Sequence, residues 1–339
     1  MENLDWASLG FNYHKTDFNV RFSFKDGAWS EMVVTEDEYF PMHMSAYCLH
    51  YGLELFEGLK AFRGEDDQIR LFRVDETAKR LISSAERLCL PVPTYDMIVE
   101  GCKKVVALNK RFVPPAHTGA SLYLRPVMFG TMVGLGVKPS SEALLIIFCS
   151  PVGPYFKGGI RPIRCAIDRD QDRAAPRGTG DVKVGGNYAA SMVSSRRAHE
   201  LGFSNVIYLD PAEHKYIEEC AAANFFGIKD KKYITPKSQS ILPSITNKSL
   251  RQIAGDVGLT VEERKVPVEE LSTFEECGAC GTAAVISPIN EIHDMQTGQT
   301  YNYGDHVGEY SLKLYHLLQD IQYGRAEDKY GWTRIVEGI

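Results

Sequence analysis

The sequence lacks any apolar run long enough to cross a bilayer. Its most hydrophobic stretch, Ala143-Leu-Leu-Ile-Ile-Phe-Cys149, has the length of a buried strand, well short of the ~20 residues of a membrane-spanning helix. The acidic opening Met1-Glu-Asn-Leu-Asp-Trp6 has no secretory-signal pattern, so a cytoplasmic chain without a membrane partner is expected. Positive charge is in deficit, with 38 Lys and Arg against 44 Asp and Glu and a net charge of −6. A general nucleic-acid binder needs a basic face, so no nucleic-acid partner is expected and any phosphate site has to be local. Cysteine is sparse: eight scattered residues make no disulfide framework and point to free thiols in a reducing compartment. Cys277-x-x-Cys280 has no second Cys/His pair at ligand spacing and the nine histidines form no cluster, so no metal is expected. The P-loop, the dinucleotide glycine fingerprint, His-Glu-x-x-His and the nucleophile elbow are all missing. Gly130-x-x-x-Gly134-x-Gly136 has the wrong spacing for a dinucleotide. The Asn247-Lys-Ser249 acceptor pattern means nothing without secretion.

What is present is an ordinary globular composition, 44% hydrophobic and 24% charged, over a length sufficient for two domains. Residues 20–40 read as a hairpin, with Asn19–Phe24 turning at Asp26-Gly27 into the stretch that ends at Val34. Asp75 reads as the cap of a helix through about Leu88, with Ala78, Leu81, Ile82, Ala85 and Leu88 on one face and Arg80 off that stripe. A second helix is expected from about Tyr95 to Asn109. Ser121–Phe129 alternates as a strand, with Tyr123 and Arg125 on one face. The loop-rich stretch 150–161 reads as a linker between domains. Strands are expected at 163–167 and 205–209, and two more joined by a small-residue corner over 216–228. Helices are expected from about Thr246 and over 305–323. Strands and helices mix without strict alternation, which leaves α+β and doubly wound arrangements open.

The chain's chemistry centres on Thr179-Gly-Asp-Val-Lys-Val-Gly-Gly-Asn-Tyr188. Lys183 stands among glycines, where bare backbone lets a flat ligand approach. Asn187 reads as the N-cap of a helix running to Leu201, and Tyr188 lies within reach of the same ligand. Keeping a lysine unprotonated at neutral pH costs roughly 4–5 kcal/mol, and bonding an aldehyde as an imine removes that cost. A phosphorylated pyridine aldehyde would also need phosphate donors, which Ile245-Thr246 and Gly281-Thr282-Ala283 offer, and a fixed cation, for which Arg80 is the candidate. A protonated pyridine nitrogen needs a carboxylate, and Glu219 is placed to supply it.

Seven ordered blocks carry a resemblance from about residue 10 to 325. They are Leu53–Phe62, Arg73 to Arg80, Tyr123–Pro126, Lys183–Tyr188, Glu219 to Phe225, Ile241–Thr246 and Gly281–Ala284. Together they resemble the branched-chain amino-acid aminotransferases, of fold-type IV among pyridoxal-phosphate enzymes. The resemblance implies an α+β fold with a smaller N-terminal α/β domain (residues 1–152), an interdomain loop (153–161), and a larger C-terminal domain (162–339). The larger domain would carry a pseudo-barrel of strands, and the active site would lie at the domain interface.

It further implies pyridoxal 5'-phosphate as cofactor, with Lys183 forming the internal aldimine and shuttling the proton. Glu219 would pair with the ring nitrogen, Tyr188 with the phenolic oxygen, and Arg80, Ile245, Thr246 and Thr282 with the phosphate. Tyr51, Tyr123, Arg125 and Ala283 would face the substrate, and Tyr155 would close over it. The implied reaction is ping-pong transamination of L-leucine, L-isoleucine or L-valine with 2-oxoglutarate, in a homodimer where Tyr51 serves the neighbouring subunit's site. Mammalian members carry a redox-sensitive Cys-x-x-Cys after the Gly-Thr-Ala turn; Ala284 and Ser287 stand there instead, so no such thiol regulation is expected. Same-fold alternatives are a D-amino-acid aminotransferase and an aminodeoxychorismate-type lyase, and an alternative from another class is a binding protein that has lost its chemistry.

Overall fold

The computed structural model describes residues 4–6 and 8–337. The chain forms two compact units. The first comprises Met1–Tyr155, Val182–Gly185 and Asp320–Ile339; the second comprises Phe156–Asp181 and Gly186–Gln319. The units are therefore not two contiguous stretches, because the short segment holding Lys183 and the C-terminal twenty residues both belong to the first.

The first unit contains β1 (Asn19–Lys25), β2 (Ala28–Trp29), β3 (Val33–Thr35), α1 (Tyr47–Tyr51), β4 (Glu54–Phe56), β5 (Leu59–Arg63), β6 (Ile69–Phe72), α2 (Val74–Arg87), α3 (Tyr95–Leu108), β7 (Ser121–Gly130) and β8 (Ala143–Val152). Its sheet runs β6-β5-β7-β8-β1-β2, with the short strand Thr333–Ile335 added beside β6, β3 on β1 and β4 on β7. The expected hairpin is present, with Phe24 opposite Trp29. β7 and β8 pair without a break from Ser121–Val152 to Gly130–Ala143. Alternation along β7 buries Leu122, Leu124 and Met128 in a core with Leu81, Ala85, Ile98 and Val105 of α2 and α3. Tyr123, Arg125, Val127 and Phe129 are thereby left on the opposite face. Asp75 is not the cap of α2. Arg73 occupies that position in a left-handed conformation, and Asp75 sits in the first turn, where a carboxylate still favours the helix dipole.

The second unit contains β9 (Ile163–Ile167), α4 (Gly185–Ala189), α5 (Met192–Glu200), β10 (Asn205–Leu209), β11 (Tyr216–Cys220), β12 (Ala223–Lys229), β13 (Lys232–Pro236), α6 (Ile245–Ile253), β14 (Thr260–Arg264), β15 (Val266–Pro267), β16 (Glu276–Gly281), β17 (Val285–Asp294), β18 (Thr300–Asn302) and α7 (Glu309–Tyr323); Gly185 and the last turn of α7 belong to the first unit. Its strands close a ring, β9-β10-β11-β12-β16-β17 and back to β9, which is the expected barrel. The interior is filled by Cys165, Ile207, Cys220, Phe225, Cys277 and Ile289. On β16 glycine is required at 278, where a Cβ would stand 2.4 Å from the Phe226 ring.

The helix expected from Asn187 to Leu201 is broken. α4 already includes Asn187, which is thus not an N-cap, and the chain turns at 190–191 before α5. The Ser191 hydroxyl donates to the Tyr188 carbonyl at 2.7 Å, satisfying a group that a continuous helix would use. Asn187 is buried and its amide donates to the Thr179 carbonyl at 2.7 Å. α6 starts at Ile245 behind Ser244, whose hydroxyl accepts from Asn247 N–H at 3.2 Å. The expected helix at 305–323 begins only at Glu309, where the Glu276 carboxylate accepts from Tyr310 N–H at 2.9 Å and Ser311 N–H at 2.8 Å. Among the described residues no helix is long and apolar enough to cross a membrane.

Candidate active site

In the first unit, the site grows from three consecutive residues at the end of β4. Phe56 N–H donates to the Lys183 carbonyl at 3.1 Å, and the Phe56 ring lies 4.6 Å from Lys183 Nζ and 4.7 Å from the Arg125 guanidinium. One ring therefore faces both the reactive-lysine candidate and the substrate-arginine candidate, at cation–π distance from each. Val182 and Val184 flank Lys183 and are both buried, and Val184 N–H donates to the Val182 carbonyl at 3.2 Å across it. The lysine backbone is thus pinned by a tight turn. Glu54 accepts from Gly185 N–H just beyond.

Glu57, wholly buried, grips Arg80 through two hydrogen bonds of 2.7 Å, Nε to Oε1 and Nη2 to Oε2. This fork-to-fork geometry fixes the plane of the guanidinium. Gly58 follows, and a Cβ there would stand 2.0 Å from the Tyr123 hydroxyl. Only glycine seats the phenol in this position. Tyr123 in turn accepts from Arg125 Nη2 at 3.0 Å, while Arg125 Nε is buried without a hydrogen-bond partner.

The Tyr123 face of the sheet opens into a cavity of about 640 Å³. Its walls include Phe11, whose ring meets Tyr123 edge-on at 4.9 Å, together with Phe129 and Phe148. Arg125 is the basic group that β7 contributes to this lining, which is rich in aromatic rings and also holds Arg21, Glu36 and Glu38. Lys60, the cross-strand neighbour of Tyr123, is buried, and burial holds its amine down to about 8. Tyr51 does not line this cavity; it is 37% exposed at the end of α1 and donates to the Leu135 carbonyl. Tyr155 is exposed on the loop after β8.

In the second unit, Glu219 sits on β11, paired on both sides within the barrel, and is 4% exposed. Arg173 Nη2 lies 2.6 Å from Oε1, Leu242 N–H donates to the same oxygen at 3.2 Å, and Asn224 Nδ2 donates to Oε2 at 3.1 Å. Burial pushes the carboxyl up to about 7, with Arg173 opposing that rise. Ile245 and Thr246 occupy the first turn of α6, both buried, where free N–H groups and the dipole suit an anion. Thr282 and Ala283 form the turn from β16 to β17. The turn closes through Val285 at φ 65°, a left-handed conformation that costs a β-branched residue roughly 1–3 kcal/mol. Tyr188 is half-buried on α4. Among the described residues no group of three or more His, Cys, Asp or Glu is arranged to hold a metal.

Several of these residues were not singled out by sequence reasoning. Glu57 and Gly58 lie inside a recognised block, but only the fold shows which side chains they hold. Arg173 sits ten residues before Lys183 in a loop without pattern, and Phe11 lies over a hundred residues from its ring partner, so neither leaves a local signal.

A protein-family model for class IV amino-transferases matches residues 54–292. A branched-chain-amino-acid aminotransferase of Helicobacter pylori is 48% identical over 335 residues, covering 98% of each chain. The crystal structure of the Escherichia coli branched-chain amino acid aminotransferase superposes with a TM-score of 0.78 at 30% identity, covering 95% of this chain and 100% of that one. The T.th. branched-chain amino acid aminotransferase with pyridoxamine 5'-phosphate gives a TM-score of 0.79 at 25% identity, covering 93% and 98%. This chain belongs to the class IV, fold-type IV aminotransferases, and within them to the branched-chain amino-acid aminotransferases.

Proposed function

We propose that this aminotransferase moves the amino group of L-leucine, L-isoleucine or L-valine to 2-oxoglutarate, giving branched 2-oxo acids and L-glutamate by a ping-pong route with pyridoxal 5'-phosphate. The observation that carries the reading is the Phe56 ring shared by Lys183 and Arg125 at 4.6 and 4.7 Å. It puts a lysine suited to proton transfer next to an arginine suited to a carboxylate, in an aromatic setting.

The donor set fits the cofactor. A buried carboxyl backed by Arg173 suits a protonated ring nitrogen, and the Ser244-capped start of α6 suits a phosphate. When bound, the cofactor supplies the electron sink that makes the substrate's Cα proton removable. Lys183 Nζ holds and moves that proton. Glu219 would keep the ring nitrogen charged, and Tyr188 would serve the phenolic oxygen. Arg80, Ile245, Thr246 and Thr282 would hold the phosphate, with Glu57 orienting Arg80. Apolar side chains meet the aromatic wall, and the second carboxylate of glutamate meets Tyr123 and the unpartnered Nε of Arg125. Ala283 faces the substrate through its backbone, and Tyr155 closes over it.

The protein acts as a homodimer in this reading. Support comes from a strongly exposed apolar group around Tyr51: Met44 at 76%, Leu49 at 60%, Leu135 and Val137 at 80%. Eight free cysteines fit a cytoplasmic location.

The test is a half-reaction without acceptor, followed by visible absorbance. L-leucine should bleach the cofactor band while D-alanine leaves it intact, and Lys183→Ala should lose turnover by at least roughly 10⁴-fold. Bleaching by D-alanine alone, or near wild-type turnover in Lys183→Ala, would overturn the reading.

A further inference from the structure

Behind Glu219 runs a buried chain of neutral amides that the reaction does not itself use. Asn224 stands opposite Glu219 across β11 and β12 and donates to its Oε2 at 3.1 Å. Asn224 Oδ1 accepts from Asn247 Nδ2 at 3.1 Å. Asn247 belongs to the first turn of α6; its Nδ2 also donates to Thr235 Oγ1 at 3.0 Å, and its Oδ1 accepts from the Tyr233 hydroxyl at 2.9 Å. The Thr235 proton is committed to the Phe225 carbonyl at 2.8 Å. Asn224, Thr235 and Asn247 are all at most 6% exposed, and Tyr233 is fully buried.

This chain has only one polarity. A backbone carbonyl accepts and never donates, so Thr235 offers Asn247 a lone pair. Asn247 must then turn its NH₂ toward Thr235 and Asn224, and Asn224 must turn its NH₂ toward Glu219. Asn224 Nδ2 also donates to the Leu242 carbonyl at 3.2 Å, so two carbonyls, of Phe225 behind Thr235 and of Leu242 beside Asn224, set the same direction. The residue that orients Asn224 is tied through its own backbone N–H, donating to the Ser244 hydroxyl at 3.2 Å, to the helix start carrying Ile245 and Thr246.

We infer that Asn224 and Asn247 are positioning residues that relay a fixed hydrogen-bond polarity to Glu219, keeping its carboxylate the ionised partner of the cofactor's ring nitrogen and locking it to the phosphate-binding turn. The inference rests on the proposed roles of Glu219 and α6. The other titratable groups facing Glu219 are Arg173, Glu218, and the thiols of Cys220 and Cys280, which burial pushes up and so keeps neutral. Glu218 is held separately by the Ser238 hydroxyl at 2.7 Å.

The test is a fluorescence titration of apo-protein with pyridoxamine 5'-phosphate, which forms no bond to Lys183, across the neutral pH range. Binding should weaken as pH falls through the Glu219 titration. Asn247→Asp is isosteric but, when ionised, can only accept, so it sets an acceptor against Asn224 Oδ1 and works against the Asn224 bond to Glu219. It should raise the midpoint of the pH dependence by about one unit, which weakens binding about fivefold at pH 7 and about tenfold toward pH 6. Thr235→Val, which removes only one anchor of polarity and keeps the shape, should move the midpoint in the same direction by less. Glu218→Gln, which removes a facing negative charge, should move it the opposite way, downward.

A loss by one constant factor at every pH in Asn247→Asp and Thr235→Val, or no loss at all, would overturn the relay. If Asn247→Asp fails to fold, the Thr235→Val midpoint decides alone. If instead wild type and Glu219→Gln bind alike at every pH, the assigned role of Glu219 fails, and the relay fails with it.

Discussion

Each unit buries an arginine–glutamate pair, and the two pairs are built in opposite senses. In the first, Glu57 is wholly enclosed and gives both oxygens to one arginine, with Gly58 N–H also donating to Oε2 at 3.2 Å, so the carboxylate is taken up within the protein. The glutamate serves the arginine. In the second, one nitrogen of Arg173, Nη2, is shared among Glu219 and the carbonyls of Gly180 and Ser240, while the carboxylate gathers Leu242 N–H and Asn224 as well. There the arginine serves the glutamate. The same ion pair thus yields an oriented cation in one place and a tuned anion in the other, and the choice lies in which partner is saturated.

That contrast can be broken from either side. Glu219→Gln removes the tuned anion and should lower turnover by roughly 10²–10³-fold, measured as kcat at saturating cofactor. Glu57→Gln leaves Arg80 uncompensated in a buried setting, so denaturant unfolding should show a loss of about 3–5 kcal/mol, with weakened binding of the phosphorylated cofactor. Arg173→Met should act mainly through pH. Arg173 opposes the burial that raises Glu219, so its removal should shift the midpoint for cofactor binding upward by about one unit or more. In the apo-protein the sign is set by the raised carboxyl: its contribution to stability is complete below pH 4.5 and is lost as pH rises through about 7. Glu219→Gln should lack that part of the slope. The smallest effect sits at Gly58, where Ala would push the Tyr123 hydroxyl aside. KM for L-glutamate should rise about tenfold, with KM for L-leucine changing less, because only glutamate needs the Tyr123–Arg125 pair.

Much of this architecture was legible in the residues. The alternation Ser121–Phe129 places Tyr123 and Arg125 on one face, and the structure keeps them there as the hydrogen-bonded wall of a cavity. The Asp26-Gly27 hairpin and the helices at 74–87 and 95–108 are local patterns with local causes, and they form within a residue or two of expectation. What local pattern does not contain is partnership across the chain. Nothing near Glu219 announces Arg173, 46 positions earlier, and nothing near Thr246 announces that Asn247 bonds back to β12. Caps differ from expectation where a neighbour takes the role: Arg73 rather than Asp75 precedes α2, and Asn187 turns its amide inward to Thr179 instead of capping a helix. The barrel closes through β11–β12 and β17–β9; the first pairing is a local hairpin, but the second spans more than a hundred residues and is visible only in the fold.

The most direct measurement is infrared difference spectroscopy of the apo-protein, wild type minus Glu219→Gln, from about pH 5 to about pH 9. A protonated-carboxyl band that fades with a midpoint near 7, and vanishes at neutral pH when pyridoxamine 5'-phosphate is added, is the predicted result. A Glu219 that stays ionised down to about pH 5, with no response to the cofactor, would contradict the account.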